Sequence, residues 1–312
     1  MQPNLTLQNT YVNPAYTLIR AFLQGKSQAT LRAYRADLDF FGRYLGVKTL
    51  SESAKVLIEA PHGQANLMAL NYKTEMQRRK LKATTINRRL SALRSMVQLA
   101  NTLGMVAWKL EVKNDRVEPY RDTAGPGESN FQRMLIANWS QSNQQKAIRD
   151  YAILRLLHDL GLRRGSVVSL DLADVDLAEK RIWVKLKRHS DKKAKELPDV
   201  TTQALVRWIM IRGSEDGPLF TNFDHAGKGR RLTGTSIYRI VRKLGEEISI
   251  QTRPHGIRHT AITEAVKKSQ EVNIGLEEVV DFSDHKDVKT LLIYRDRERN
   301  VQGMLSKLIA NE

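Results

Sequence analysis

Helical periodicity runs through much of the chain and is lost between Lys113 and Gly127, where charged residues lead into Pro119 and a Gly-Pro-Gly turn. Segments of this composition, without an apolar repeat, connect folded domains. A chain of 312 residues is long enough to build two hydrophobic cores. The sequence therefore predicts a flexible arm over residues 1–13, a helical domain over 14–108, a linker over 109–127, a second domain over 128–294 and a helical tail over 295–312.

The first domain is predicted to be helical because apolar residues recur at steps of three and four, as between Leu31 and Leu45. Ser27 is a predicted N-cap and Gly46 a predicted end of that helix. A later amphipathic helix is predicted to be capped by Thr84 or Thr85. Its arginines off the apolar stripe form either a solvated face or a face that contacts phosphates: Arg88, Arg89 and Arg94.

The second domain is predicted to combine helices with one β-hairpin. Between residues 181 and 187, Ile182 and Val184 alternate with Trp183 and Lys185, as in a half-buried strand. A basic turn follows, and a second strand is predicted to end near Leu197. Helices are predicted over about 147–160, 201–212 and 235–247. The expected fold is mainly α with a small antiparallel β-sheet, the second domain being of the mixed α/β (α+β) type.

The charge of the chain favours a polyanionic partner. Its formal net charge is +17 and its isoelectric point about 10.0, which suits nucleic acid, although a ribosomal or membrane-surface protein can carry similar charge. The absence of cysteine excludes disulfides, cysteine nucleophiles and cysteine-bound zinc. No signal peptide and no apolar run of about 20 residues is evident, so a cytoplasmic protein without membrane association is expected.

One short motif carries the clearest chemistry. Proline at position 254 and the apolar residues after it predict a helix that places His255 and Arg258 on the same side. A guanidinium fork beside an imidazole suits the oxygens of a phosphate. Further along the chain, Tyr294 offers a phenol. Although Asp281, Asp284 and His285 lie close together, their spacing does not predict a metal site.

The order of these motifs resembles the tyrosine recombinase (phage integrase) family over nearly the whole chain. The segments that carry the resemblance are Gly161-Leu162-Arg163-Arg164, the run from His255 to Thr260, and His285 with Tyr294. The resemblance implies that the first domain binds core-site DNA and that both domains form a clamp around it. It implies the catalytic residues Arg163, Lys187, His255, Arg258, His285 and Tyr294, with Lys192 or Lys193 as alternatives to Lys187.

Further DNA contacts are expected at basic residues, and two positions depart from the family pattern. Basic residues expected at DNA are Arg88, Arg89, Arg94, Lys185, Arg188, Arg230 and Arg231. Ser166 stands where the family usually has an acidic residue, and Ser283-Asp284 precedes His285 where Leu-Gly is usual. The first departure removes a carboxylate that would orient an arginine or a histidine of the site.

The function implied by the resemblance is site-specific recombination of double-stranded DNA. Strands would be cut and rejoined through a 3′-phosphotyrosine and a Holliday junction, without ATP, metal or another cofactor. Four copies would act on two DNA sites at the nucleoid, with the 295–312 helix docked on a neighbour and accessory DNA-bending or directionality proteins as possible partners. The alternatives are a type IB topoisomerase and a non-catalytic DNA-binding regulator on the same fold. The target sequence and the choice between integration, excision and resolution are not encoded in these motifs.

Overall fold

A computed structural model describes residues 13–117, 125–185, 191–224, 227–284, 288, 291 and 301–310. The chain divides into two compact units, Met1–Tyr120 and Arg121–Glu312. Within the described ranges, no helix is both long enough and apolar enough to cross a lipid bilayer. The mostly helical content with a small antiparallel sheet confirms the predicted fold class.

The first unit is a helical bundle with α5 at its centre. Its helices are α1 (Pro14–Leu23), α2 (Gln28–Leu45), α3 (Leu50–Glu59), α4 (His62–Arg78) and α5 (Ala83–Thr102). Helix α5 contacts α1, α2 and α4, and it buries Leu90, Leu93 and Val97. Burying large apolar side chains of this kind contributes about 1.5–3 kcal/mol each, which makes α5 the main structural element of this unit.

Local sequence signals set both ends of α2 in the first unit. The Ser27 hydroxyl caps α2 by accepting from the backbone N–H of Thr30 at 3.2 Å, and Gly46 ends that helix with φ of 74°. The predicted caps of α5 are wrong. Helix α5 begins at Ala83 because Lys82 is the N-cap and its carbonyl accepts from the backbone N–H of Thr85 at 2.8 Å, so the threonines lie inside the first turn.

Much of the predicted linker packs on the folded units. Leu110 lies in the core of the first unit, and the Asp115 carboxylate is 2.7 Å from the Lys73 ammonium. On the other side, the backbone N–H of Gly127 donates to the Thr260 hydroxyl at 3.0 Å. The described part of the first unit therefore continues past residue 108 to residue 117. Residues 118–124 of the predicted linker, like the predicted arm up to residue 12, lie outside the described residues.

The second unit combines helices with a three-stranded antiparallel sheet. Its helices are α6 (Gly127–Asn138), α7 (Gln144–Asp159), α8 (Arg164–Ser169), α9 (Asp199–Arg212), α10 (Gly234–Glu247), α11 (Pro254–Glu271), α12 (Leu276–Ser283) and α13 (Val301–Ala310). The strands β1 (Val175–Asp176), β2 (Arg181–Lys185) and β3 (Lys192–Glu196) pair in the order β1-β2-β3. Ile182 and Val184 are buried, as the alternation predicted, whereas the two-residue strand β1 was not predicted.

Helix α7 is the central element of the second unit. It contacts α6, α9 and α11 and buries Ile153, Leu156 and Leu157 completely. On α9, the indole N–H of Trp208 donates to the Leu219 carbonyl at 2.8 Å, so this large buried side chain has its polar atom satisfied. Since α7 is enclosed on several sides, its C-terminal end provides a rigid base for the turn that follows.

Candidate active site

The turn after α7 positions Arg163. Gly161 has φ of 56°, a conformation that favours glycine, and the neighbouring Leu162 is buried. Arg163 is the residue immediately before α8, and its guanidinium donates to the carbonyl of Asp284 at 2.9 Å. The turn is thus anchored by the buried side chain of Leu162, and the next side chain, that of Arg163, stays half-buried.

Helix α11 supplies Arg258 and His255. Proline at its first position fits the fixed φ of that residue. The buried Arg258 guanidinium donates to the carbonyls of Gly161 and Ser283. His255 lies one turn earlier, is accessible to solvent and lines the same cavity as Arg258, as their spacing predicted.

Arg163, His255 and Arg258 line one cavity of about 590 Å³. Its other lining residues are Leu162, Arg164, Gly165, Tyr238, Arg253 and Pro254. Sequence reasoning did not select Arg164, Tyr238 or Arg253. The first and last of these adjoin the recognised motifs and could have been found there, whereas only the fold brings Tyr238 of α10 to this cavity.

The arginines around the cavity give it a positive electrostatic environment, which affects the pKa of His255. Partial burial lowers the pKa of His255 below its ordinary value of 6.5, and the guanidinium groups of Arg253, Arg258 and Arg163 lower it further. The neutral imidazole is therefore the prevailing form at neutral pH, and it has the lone pair that a general base needs. The same positive charge favours binding of an anion such as a phosphodiester.

The two departures from the family pattern have structural explanations. Ser166 is buried, and its hydroxyl donates to the carbonyl of Lys185 at 3.1 Å, so it connects α8 to the end of β2. Asp284 ends α12 in the left-handed conformation, with φ of 49°, where aspartate is tolerated better than most residues other than glycine.

The remaining predicted catalytic residues, Lys187, His285 and Tyr294, lie outside the described residues, and so does the predicted DNA contact Arg188. Both alternative lysines form ion pairs: Lys192 with Asp174 and Lys193 with Asp281. Within the described part of the chain, no cluster of histidine, aspartate and glutamate has a geometry that could hold a metal ion.

The predicted DNA contacts differ in how they are held. Arg94 donates to the Val112 carbonyl and to the Asn114 side chain, both at 2.6 Å. Arg231 donates to the carbonyls of Val168 and Leu170 and pairs with Asp171. The guanidinium groups of these two arginines are therefore bound to other residues of their own units. Other predicted contacts are accessible at the surface: Lys185, Arg230 and the half-exposed Arg88.

Arg89 is a third case. Its side chain is only 15% exposed, and its guanidinium carbon lies 3.5 Å from the centre of the Phe40 ring. The Nε atom is 3.8 Å from the Asp37 carboxylate. Because Arg89 stacks on Phe40 and lies near the Asp37 carboxylate, it is less accessible to a phosphate than Arg88 is.

Comparison with known proteins assigns families to both units. Residues 129–300 match the phage integrase family, and residues 21–102 match the phage integrase N-terminal SAM-like domain. The chain is 35% identical over 292 residues to a tyrosine recombinase of Synechococcus elongatus, covering 91% of this chain and 90% of that one. It is 33% identical over 292 residues to a tyrosine recombinase of Synechocystis, covering 92% of each.

A solved structure of a recombinase has a similar fold. The chain is similar to XerH site-specific recombinase bound to a palindromic difH substrate, with a TM-score of 0.69. Sequence identity is 14%, and the match covers 95% of this chain and 85% of that one. At this identity the likeness concerns the arrangement of helices and strands.

Proposed function

The chain belongs to the phage integrase family, the tyrosine recombinases, and from this premise we propose that it cuts and rejoins specific double-stranded DNA sites through a covalent 3′-phosphotyrosine at Tyr294. The observation that supports this proposal most directly is that Arg163, His255 and Arg258 together line one electropositive cavity. A phosphodiester is the anionic group of DNA that fits such a cavity. As a site-specific recombinase the protein is an enzyme, and we propose that it acts on DNA at the nucleoid of the cytoplasm.

The two arginines stabilise charge in the proposed reaction. Arg163 and Arg258 bind the non-bridging oxygens of the scissile phosphate, and His285 adds a hydrogen bond to them. In the transition state the phosphorus has five oxygen neighbours and those oxygens carry more negative charge than in the substrate. A preorganised donor at such a position typically contributes about 3–4 kcal/mol to lowering the barrier.

Proton transfer is assigned to His255 and Lys187. The phenol of Tyr294 has an ordinary pKa of about 10, so little phenolate exists at neutral pH. His255 takes the phenol proton as the oxygen attacks phosphorus, and Lys187 gives a proton to the departing 5′ oxygen. The ion pairs of Lys192 and Lys193 favour Lys187 for this role. The covalent phosphotyrosine conserves the bond energy, so the reverse attack by a 5′ hydroxyl rejoins DNA without ATP.

Assembly into a tetramer on two DNA sites is proposed to use the C-terminal helix. On α13, Leu308 and Ile309 are 70% and 83% exposed. An apolar groove of about 440 Å³ lies between α11 and α12 and is lined by residues that include Val272, Ile274 and Phe282. We propose that α13 of one copy fills this groove on its neighbour, with the chemistry proceeding through a Holliday junction.

A covalent-trapping experiment tests the chemistry. The target sequence is first selected from a random duplex pool by binding to the protein, and a nicked duplex carrying it is then incubated with the protein. We expect a covalent protein–DNA adduct that maps to Tyr294, and none with Tyr294→Phe, which still binds the duplex. An adduct of undiminished yield with Tyr294→Phe would exclude this nucleophile.

The same duplexes separate recombination from the alternatives. Two intact copies of the selected site should give recombinant products and a trapped four-way junction. Replacing Ile309 by aspartate should reduce these products while leaving adduct formation on one nicked duplex largely intact, because docking is needed only for assembly. Relaxation of supercoiled DNA without recombinants would indicate a topoisomerase, and binding without an adduct would indicate a regulator.

A further inference from the structure

A lysine occupies an inward position on the hairpin of the second unit. Lys195 of β3 pairs across the sheet with Ile182, which is completely buried. Cross-strand partners point to the same face of a sheet, so Lys195 lies on the core side. Its side chain is only 10% exposed. Because an isolated buried ammonium is costly, this position requires a compensating charge.

Asp284 supplies that charge. Its carboxylate lies 3.2 Å from the Lys195 ammonium and is 6% exposed. The same ammonium donates to the carbonyl of Phe282 at 3.0 Å. Burial lowers the pKa of Lys195, and the Asp284 carboxylate opposes that effect by favouring the charged form. The lysine and the end of α12 are therefore joined by a buried ion pair and a hydrogen bond.

The residues joined in this way also hold the two arginines of the cavity. The carbonyl of Asp284 accepts from Arg163 at 2.9 Å, and the carbonyl of Ser283 accepts from Arg258. Three consecutive carbonyls, from Phe282 to Asp284, thus receive a lysine and two arginines. A shift of this short turn would move both guanidinium groups together.

We propose that Lys195 and Asp284 are a positioning pair that fixes this turn and thereby sets the geometry of Arg163 and Arg258 around the scissile phosphate. The proposal rests on the proposed function, since it assigns both arginines to that phosphate. It also gives β3 a role beyond pairing with β2, because the pair fastens the hairpin to the segment that carries the arginine-binding carbonyls. Neither residue touches the reacting atoms.

The left-handed backbone at Asp284 makes a clean test possible. Asparagine tolerates this conformation nearly as well as aspartate, and glycine adopts it without strain. Asp284→Asn and Asp284→Gly therefore remove the charge without forcing the turn to change shape. On the other side, Lys195→Met removes the ammonium and retains most of the apolar stem, while Lys195→Arg keeps a positive charge.

A neighbouring ion pair provides the matched control. Lys193 lies on the same strand and the same face, and it pairs with Asp281 of the same helix, α12. Their side chains are 38% and 74% exposed, so water already solvates both charges. Exposed pairs of this kind contribute less than about 1 kcal/mol. Asp281→Asn removes an equivalent charge without uncovering a buried partner, and it leaves Lys193 itself unchanged.

The experiment measures the single-turnover rate of adduct formation on the nicked duplex at saturating protein, together with duplex affinity and thermal unfolding. For Asp284→Asn, Asp284→Gly and Lys195→Met we expect the rate to fall about 10- to 100-fold, the usual consequence of misplacing catalytic groups by about 1 Å. Duplex affinity should stay near that of the wild type. Lys195→Arg should recover more activity than Lys195→Met, and the control variant Asp281→Asn should react at nearly the wild-type rate.

The outcomes separate this proposal from the proposed function. A normal rate in both Asp284 variants overturns the positioning role and leaves the recombinase chemistry intact. An equal loss in the Asp281→Asn control, or losses of affinity that match the losses of rate, also overturn it. Absence of any adduct with the wild-type protein on its selected duplex contradicts the proposed function, and the positioning role fails with it.

Discussion

Arg88 on α5 of the first unit and the arginines Arg163 and Arg258 in the cavity of the second unit are held by different kinds of partner. Arg88 contacts the carboxylate of the buried Asp37. Arg163 and Arg258 donate to backbone carbonyls instead. A carboxylate cancels much of the charge of a guanidinium, whereas a carbonyl orients the group without supplying a full negative charge. Residues of the same type are therefore suited to different tasks.

Titration behaviour reflects the same contrast. Burial raises the pKa of Asp37, and the guanidinium groups of Arg88 and Arg89 act in the opposite direction. In the cavity, guanidinium groups lower the pKa of His255. The positive charge of Arg88 and Arg89 on α5 is thus partly neutralised by the buried Asp37 carboxylate. The positive charge in the cavity instead acts on the His255 imidazole and on any anion that binds there.

The largest effect is expected from Arg258→Ala. Loss of a preorganised donor to the phosphate should slow adduct formation by about 10²- to 10³-fold, whereas duplex affinity should change little because many other contacts remain. The measurement compares single-turnover rates and affinities on the same nicked duplex. Arg133→Ala, which removes an exposed arginine from α6 of the same unit, is the control and should react normally. A near-normal rate for Arg258→Ala would remove the cavity from the mechanism.

A smaller effect, on stability rather than on chemistry, is expected from Arg94→Ala. Its guanidinium joins α5 to the segment after it through Val112 and Asn114. Hydrogen bonds from charged groups contribute about 1.5–3 kcal/mol, so the unfolding free energy of the first unit should fall by an amount in that range. Chemical denaturation of the wild type and the variant provides the measurement. An unchanged midpoint, with reduced duplex affinity, would instead assign Arg94 to DNA.

Sequence reasoning was most successful where a property depends on neighbouring residues. Periodicity predicted the helices and the hairpin, and the cap at Ser27 was correct. Arg163, His255 and Arg258 were selected because each lies in a contiguous motif, and the structure brings them to one cavity. Their catalytic roles remain predictions.

Properties that depend on distant parts of the chain could not be predicted in this way. The alternation of β2 did not reveal that Lys195 would lie inward, because that depends on the cross-strand register with Ile182. Nor did the stripe of α5 reveal that Arg94 binds a segment in the predicted linker. Both outcomes depend on which distant residue contacts the side chain in the folded protein. Composition and periodicity contain no information about such long-range contacts.

The histidine gives a pH test of the contrast between the two regions. With its pKa below 6.5, His255 stays neutral down to that pH and becomes protonated only in more acid solution. The rate of adduct formation should therefore hold past pH 6.5 and then fall about tenfold per pH unit, as expected for loss of a required base. A decline centred above pH 6.5 would contradict a cavity whose positive charge acts on this group.

The same shift has a consequence for stability. The unfolded chain has the higher pKa at this position, so it binds a proton more readily than the folded protein does. Stability should therefore decrease as the pH falls through about 6.5 and below, provided other groups are accounted for. His255→Asn removes this contribution, and the difference between the two unfolding profiles isolates it.

The smallest effect is expected from Arg88→Ala, and it sharpens the comparison within the first unit. The Arg88 side chain is 50% exposed, and its buried partner Asp37 keeps Arg89 as a second positive neighbour when Arg88 is removed. If Arg88 also contacts a phosphate, its removal should weaken binding to all duplexes similarly. It should also reduce the slope of log affinity against log salt by about 1, since one fewer counterion is released. Arg94→Ala should leave that slope unchanged, because its guanidinium is bound within the unit. Equal slopes for wild type and Arg88→Ala would show that Asp37 retains this arginine even when DNA is present.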